Sequence, residues 1–127
     1  AVATPDGYKP DGAVLEFTKG YGDKFALETD PFMAASGADI LITDTWTSMG
    51  EEAEKEERKK IFKDYQINRQ LLAAANAGAM VQHCLPAYRG QEITEEVFEE
   101  HADEIFNEAE NRLHAQKAVM VKLMKKD

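Results

Sequence analysis

Short apolar runs separated by turn residues recur along this chain and are typical of buried β-strands. Residues 38–43 and 80–83 are the clearest runs, and residues 2–3 form a shorter one that ends at a Thr-Pro pair. Residues 24–28 alternate between polar and apolar positions, which indicates an edge strand. The same pattern predicts a last short strand at residues 104–106.

Segments with helical spacing or helix-start signals lie between these runs. Asp30 followed by Pro31 is typical of an N-cap and a first helical position, and Thr94 followed by acidic residues resembles a capping pattern. From about residue 50 to 62, acidic residues precede basic ones, which complements the helix dipole and favours a solvated face. The predicted helices cover residues 13–20, 31–36, 50–62, 68–77, a short segment from 94, and 109–125.

Strands that alternate with helices predict an α/β domain with a mostly parallel sheet. In such sheets, ligands bind beyond the carboxyl ends of the strands. Asp44 directly follows one predicted strand, and Cys84 directly follows another. We therefore expect these two side chains to line one crevice.

The composition is that of a single soluble domain. The 127 residues are 43% hydrophobic and 31% charged, and no apolar run approaches the roughly 20 residues that span a bilayer. The single cysteine cannot form an internal disulfide and fits a reducing compartment. Because the first residues also lack the features of a signal peptide, we expect a cytoplasmic protein without a membrane partner.

The formal net charge of −9 argues against nucleic acid as a partner, because such binding depends on Lys and Arg that neutralise phosphates. The charge is compatible with a small cationic substrate. A metal site is not expected, since the spacing of the three histidines (His83, His101 and His114) matches no zinc-ligand pattern.

Four side chains could carry chemistry, and each has a structural alternative. Cys84 is either a reactive-site thiol or a buried filler, and Asp44 is either a ligand contact or a turn cap. Ser48 precedes the acidic helix, so it could cap that helix as well as contact a ligand. Arg112 could bind a phosphate or carboxylate through its planar fork, or pair with a neighbouring glutamate.

Three short motifs resemble those of ornithine carbamoyltransferases. Residues 83–86 read His-Cys-Leu-Pro, residues 44–50 read Asp-Thr-Trp-Thr-Ser-Met-Gly, and residues 109–112 read Ala-Glu-Asn-Arg. They resemble the family's HCLP signature, its D-x-W-x-SMG loop and its AENR segment, in the family's order and approximate spacing. The likeness covers essentially the whole chain, and the SMG loop indicates ornithine rather than aspartate, putrescine or acetylornithine.

The resemblance implies a reaction in which carbamoyl phosphate and ornithine give citrulline and phosphate, with no metal or organic cofactor. It assigns ornithine to Asp44, Ser48 and the backbone of Met49. It places Cys84 beside the reacting carbamoyl group and the incoming amine, with a hydrogen bond to Asp44 as a further hypothesis. Leu85 would offer its carbonyl to the carbamoyl amide across a candidate cis bond to Pro86, and Arg112 would polarise the carbamoyl oxygen.

The resemblance also implies a Rossmann-like, three-layer domain within a two-domain enzyme of more than twice this length. The family's S-T-R-T-R and H-P-x-Q segments are absent, so residues 1–127 resemble the carboxy-terminal, ornithine-binding domain without its start and without its first central strand. The implied partners are ornithine, carbamoyl phosphate, the missing amino-terminal domain and copies of the same chain, since the full-length family forms trimers.

The missing strand predicts a gap in the sheet, exposed apolar surface and a self-associating or rearranged domain. We expect the isolated chain to be inactive, because most ligands of carbamoyl phosphate are missing. The alternative function is a non-catalytic α/β module, derived from such an enzyme, that serves in folding or assembly.

Overall fold

In the computed structural model, residues 1–47 and 54–125 are described. They form short parallel strands that alternate with helices, so the predicted α/β class is confirmed. The strands are β1 (Val2–Ala3), β2 (Leu27–Glu28), β3 (Ile40–Thr43) and β4 (Met80–His83). The α-helices are α1 (Gly12–Thr18), α2 (Pro31–Ala35), α3 (Lys55–Phe62), α4 (Arg69–Leu72), α5 (Glu95–Glu100) and α6 (Ala102–Met124), with 3-10 turns at Lys19–Lys24 and Lys63–Tyr65.

Side-chain caps set where several helices begin. Asp30 accepts a hydrogen bond from the backbone N–H of Phe32 at 2.8 Å, and Pro31 occupies the first turn of α2, as predicted. Asn68 and Thr94 cap α4 and α5 in the same way. Each cap satisfies a backbone donor that the first helical turn leaves without a partner.

Within the described residues, the strands form two separate sheets rather than one. β1 pairs only with β2, and β3 pairs only with β4, in both cases in parallel. A cleft of about 300 Å³ lies between β1 and β3, with Ala3 on one side and Ile40 and Ile42 on the other. The strand directions are those predicted, and the interruption between the two sheets agrees with the gap that the missing strand predicts.

The apolar core lies around the second sheet. It holds Leu41 of β3 and Val81 of β4, together with buried residues of the helices and loops that cover them. An isolated parallel bridge between Ile67 and Ile93 extends this half of the molecule. Among the described residues, the buried apolar ones are Ala35, Leu41, Ile67, Leu71, Ala79, Val81, Ile93, Val97, Phe98 and Ile105.

The predicted strand at residues 104–106 is wrong, because this segment lies in the first turns of α6. The helix therefore begins at Ala102 and not near residue 109. Ile105 is fully buried in the core. The carboxylate of Glu104 accepts hydrogen bonds from the Val81 N–H at 2.8 Å and from the side chain of His101 at 2.9 Å. These contacts against β4 favour a continuous helix over a three-residue strand.

Other predicted boundaries shift by a few residues. The edge strand predicted at 24–28 is reduced to Leu27–Glu28, because a 3-10 turn occupies the residues before Phe25. The helix predicted at 68–77 ends at Leu72 and continues as turns. The charged helix is described from Lys55 onwards, so its predicted start lies outside the described residues.

The second half of α6 leaves apolar side chains in solvent. Leu113, Val119, Val121 and Leu123 are each more than half exposed, which matches the expectation of uncovered apolar surface. None of the helices in the described part of the chain combines the length and the apolar character needed to cross a membrane.

Candidate functional site

Asp44 and Cys84 meet at the carboxyl edge of the second sheet. Thr43 and His83 are partners in the β3–β4 register, so the next residue on each strand leaves the sheet at the same level. The carboxylate of Asp44 also accepts a hydrogen bond from the Thr45 N–H at 2.7 Å, which fixes its direction. The two side chains are therefore neighbours at this edge of the sheet, as a shared crevice would require.

The Cys84 sulfur lies within 4.8 Å of a carboxylate oxygen of Asp44, the group to which its thiol can donate a hydrogen bond. Burial raises the pKa of the thiol, and the hydrogen bond and negative charge of Asp44 raise it further, while the positive charge of Arg112 acts in the opposite direction. Because the thiolate is the nucleophilic form of cysteine, this environment favours a neutral thiol that donates a hydrogen bond. Covalent attack by Cys84 is disfavoured.

Arg112 lies in the interior of α6 and not near the start of a helix, which corrects the predicted position. Its charge is close enough to Cys84 to influence the thiol. Among the described residues, Arg112 makes no ion pair with Glu108 or Glu110, and Glu110 contacts His114 at 3.2 Å instead. The guanidinium is therefore available to an anion or a carbonyl oxygen on the Cys84 side.

Leu85 has an unusual backbone conformation next to Cys84. Its φ is 54°, in the left-handed region that side-chain-bearing residues rarely adopt, and the Leu85-Pro86 peptide is cis, as expected. The Leu85 N–H donates to Nδ1 of His83 at 2.9 Å. This hydrogen bond ties the loop to the end of β4.

A buried His83–Glu92 pair supports this loop and was not predicted from the sequence. Both residues are fully buried, and Nε2 of His83 lies 3.1 Å from Oε1 of Glu92. Because Nδ1 accepts the Leu85 N–H, the ring carries its proton on Nε2 and donates it to the carboxylate. The Tyr88 N–H donates to the same oxygen. The pair thus connects the loop at both of its ends.

The donor atoms of Asp44, His83 and Cys84 lie within 4.8 Å of one another, a spacing that could hold a metal ion. However, both ring nitrogens of His83 are engaged, one by Leu85 and the other by Glu92. A metal would have to displace one of these hydrogen bonds inside the core. The arrangement therefore favours a hydrogen-bonded polar site over a metal centre.

The remaining predicted site residues, Ser48 and Met49, lie outside the described residues. The described site combines a carboxylate, a neutral thiol and a guanidinium at the rim of a parallel sheet. A carboxylate binds an ammonium group, and a guanidinium polarises a carbonyl or binds an anion. A neutral thiol between these two groups can form hydrogen bonds on either side. This set suits the positioning of two small polar reactants of opposite charge.

Comparisons with known proteins point to one family. Residues 1–123 match the family model described as aspartate/ornithine carbamoyltransferase, Asp/Orn binding domain. The ornithine carbamoyltransferase of Gloeobacter violaceus is 56% identical over 128 residues, which cover 98% of this chain and 41% of that protein. The ornithine carbamoyltransferase of Nitratiruptor sp. is 54% identical over 129 residues, which cover 98% of this chain and 42% of that protein.

A solved structure has the same fold. The anabolic ornithine carbamoyltransferase of Campylobacter jejuni superposes with a TM-score of 0.89 at 46% identity, and the match covers 95% of this chain and 41% of that chain. The chain therefore spans about two fifths of the length of these relatives.

Proposed function

Because the chain belongs to the aspartate/ornithine carbamoyltransferase family, through its Asp/Orn binding domain, we propose that it is the ornithine-binding part of an ornithine carbamoyltransferase. The observation that carries the proposal is the proximity of Asp44 and Cys84 at the sheet edge, with the charge of Arg112 close enough to act on the thiol. The names of the relatives support ornithine as the amino-acid substrate.

In the proposed reaction, the uncharged side-chain amine of ornithine attacks the carbonyl carbon of carbamoyl phosphate. A C–N bond forms, the C–O bond to phosphate breaks, and the amine loses a proton, so the products are citrulline and phosphate. The work of the protein is positioning and electrostatic stabilisation. No step requires a metal or an organic cofactor.

Each site residue has one role in this reaction. The carboxylate of Asp44 binds the α-ammonium group of ornithine, with Ser48 and the Met49 backbone as further contacts. The neutral thiol of Cys84 lies beside the carbamoyl group and the attacking amine. The Leu85 carbonyl accepts a hydrogen bond from the carbamoyl amide, and Arg112 polarises the carbamoyl oxygen as negative charge develops on it.

We propose that the isolated chain is inactive and that the rest of the site comes from further polypeptide of the kind its longer relatives possess. Strands of parallel sheets are normally covered on both faces, yet Ile40 and Ile42 of β3 are 46% and 68% exposed. A further parallel strand in the cleft between β1 and β3 would unite the two sheets. An amino-terminal domain would cover the apolar surface of α6.

The proposal extends to assembly and location. In the complete enzyme we expect a homo-oligomer, since exposed apolar patches of this kind are typical of protein interfaces. We also propose a cytoplasmic location, which is supported by the free thiol of the only cysteine, because reducing compartments keep such thiols unpaired.

Calorimetric titration of ornithine into the chain tests the residue assignment. We expect weak binding, and we expect Asp44→Ala to weaken it by about tenfold or more, because an ammonium group loses its charged partner. Asp23→Ala is the matched control, since it removes an exposed carboxylate from the turn at Lys19–Lys24 and should leave the affinity unchanged. Binding that survives Asp44→Ala would disprove the role of Asp44.

A further inference from the structure

One face of α3 and the 3-10 turn after it carries three large side chains. Arg58, Phe62 and Tyr65 are four and three residues apart, which places them on the same side of a helix. The rest of α3 is mostly charged and solvated. This face makes aromatic and hydrogen-bond contacts with the remainder of the molecule, and Lys55 adds a separate contact with the ring of Tyr88.

The three side chains contact loops that follow three different strands. Phe62 packs against Tyr8, beyond the end of β1, with ring centroids 4.9 Å apart, and against Trp46, beyond the end of β3, at 6.1 Å. The hydroxyl of Tyr65 donates to the carbonyl of Thr29, directly after β2, at 2.5 Å. Since the two sheets share no ladder in the described part of the chain, this face of α3 joins them at the carboxyl edge where the candidate site lies.

Arg58 makes the most specific of these contacts. Its side chain is only 19% exposed. Nη1 donates to the carbonyl oxygen of Trp46 at 3.3 Å, Nε pairs with Glu54 at 3.0 Å, and the guanidinium lies over the ring of Tyr8 at 5.3 Å. A planar group with several donors can make all three contacts at once, whereas the point charge of a lysine cannot.

The contact with Trp46 lies close to the proposed substrate carboxylate. Trp46 follows Asp44 by two residues, and between them the Thr45 N–H donates to the Asp44 carboxylate. A fixed Trp46 carbonyl therefore restricts the backbone that orients Asp44 towards Cys84. This coupling needs no direct contact between Arg58 and a substrate.

We propose that Arg58 is a positioning residue, which holds the backbone at Trp46 so that the Asp44 carboxylate stays beside Cys84 and faces the α-ammonium group of the amino-acid substrate. This proposal rests on the proposed role of Asp44 in ornithine binding. It adds a determinant of substrate affinity in α3, outside the loops that hold the motif residues.

The first experiment measures ornithine affinity in four forms of the chain: wild type, Arg58→Gln, Arg58→Lys and Lys59→Gln. Calorimetry gives the dissociation constant, and fluorescence of Trp46, the only tryptophan, reports its surroundings. We expect Arg58→Gln to weaken binding by about tenfold, the usual effect of losing a charge-assisted hydrogen bond. Arg58→Lys should recover part of this loss because it retains the charge.

Lys59→Gln is the matched control, because it removes the same charge from the neighbouring position. Among the described residues, Lys59 forms an ion pair only with Glu56, at 2.9 Å. Its ornithine affinity and its Trp46 emission should equal those of the wild type. Thermal unfolding of all four forms sets a working temperature at which each is folded. If Arg58→Gln and Arg58→Lys are folded and bind ornithine as tightly as the wild type, the proposal is overturned.

A second experiment is independent of ornithine. The pH dependence of Cys84 alkylation by iodoacetamide reports the pKa of the thiol, which Asp44 raises through its hydrogen bond and charge. If Arg58 positions Asp44, then Arg58→Gln lowers this pKa and Lys59→Gln does not. If the wild-type chain binds no ornithine, the proposed ornithine-binding function of the isolated chain fails. If the pH profile of Cys84 alkylation is unchanged in Arg58→Gln, the positioning role of Arg58 is overturned separately.

Discussion

The thiol of Cys84 and the carboxylate of Asp44 are neighbours because two parallel strands end at the same level. This proximity follows from strand register, which the apolar runs at residues 38–43 and 80–83 predict well. The chemical state of the thiol depends instead on burial and on the charges around it. A neutral, hydrogen-bonded thiol fits a role in orienting reactants better than a role as a nucleophile.

The His83–Glu92 pair could not be predicted from the sequence, because nothing in the residues around Glu92 distinguishes it from the exposed glutamates that follow. Only the fold brings the carboxylate beneath the loop that carries Cys84 and buries it completely. Among the described residues, its second oxygen has no hydrogen-bond partner. Burial of such a carboxylate costs free energy of folding. We therefore infer that the role of Glu92 is to orient His83 and the backbone at Tyr88.

Replacement of Glu92 by Ala should destabilise the chain by about 2–4 kcal/mol, because the His83 Nε2–H and the Tyr88 N–H both lose their acceptor in the core. Glu92→Gln should cost less, since its amide oxygen can still accept. Urea unfolding gives the free-energy differences. Glu95→Ala, at an exposed position, serves as the control and should change stability by less than about 0.5 kcal/mol. A similarly small effect of Glu92→Ala would contradict this account.

At the scale of elements, α6 shows where local pattern and tertiary contacts disagree. The apolar pair at residues 105–106 has the appearance of a short strand in the sequence. In the fold, Ile105 is buried on a helix whose Glu104 covers the outer edge of β4. The helical conformation is favoured over a strand because Glu104 gives the Val81 N–H a hydrogen-bond acceptor. No neighbouring strand supplies such an acceptor in the described sheet.

The Glu104 contact should make stability depend on pH in the acidic range. Burial acts to raise the pKa of Glu104, but the hydrogen bonds from the Val81 N–H and His101 outweigh it, so the pKa lies below its ordinary value of 4.5. A carboxyl group whose pKa is lowered by folding contributes stability above its unfolded pKa, and this contribution is lost as pH falls through the folded pKa.

The free energy of unfolding, measured between pH 3 and pH 7, should therefore fall more steeply below pH 4.5 for the wild type than for Glu104→Gln. The difference between the two proteins should be largest near neutral pH and shrink as Glu104 is protonated. Asp103→Asn is the matched control, because it removes an exposed carboxylate one residue earlier in the same helix, and it should keep the pH dependence of the wild type. A constant difference between wild type and Glu104→Gln at every pH would contradict the assignment.

At the scale of the whole molecule, the apolar pattern predicted the alternation of strands and helices but not the strand pairings. The gap between the two sheets was predicted only through the family resemblance, which implies a missing central strand. The described part of the chain departs from a closed α/β domain at the cleft between β1 and β3 and at the exposed second half of α6. Both leave apolar side chains without cover, and both are consistent with a chain that spans about two fifths of its relatives.

The exposed apolar surface should make the isolated chain self-associate. Size-exclusion chromatography with light scattering should show a mass that rises with concentration above that of the 14.2 kDa monomer. Leu123→Lys, which places a charge at a side chain that is 80% exposed, should shift the equilibrium towards the monomer. Asn111→Lys adds the same charge at a polar position and should have little effect. A monomer at all concentrations would exclude this association.

Citrulline formation by a chimera tests the central claim most directly. In this chimera, residues 1–123 replace the matching segment of the Campylobacter jejuni enzyme, whose fold superposes on this chain. If the chain is the ornithine-binding part of an ornithine carbamoyltransferase, the chimera converts ornithine and carbamoyl phosphate to citrulline and phosphate. Asp44→Ala in the chimera should remove most of this activity. The 127-residue chain alone should form no citrulline. A folded chimera that binds carbamoyl phosphate but forms no citrulline would contradict the account.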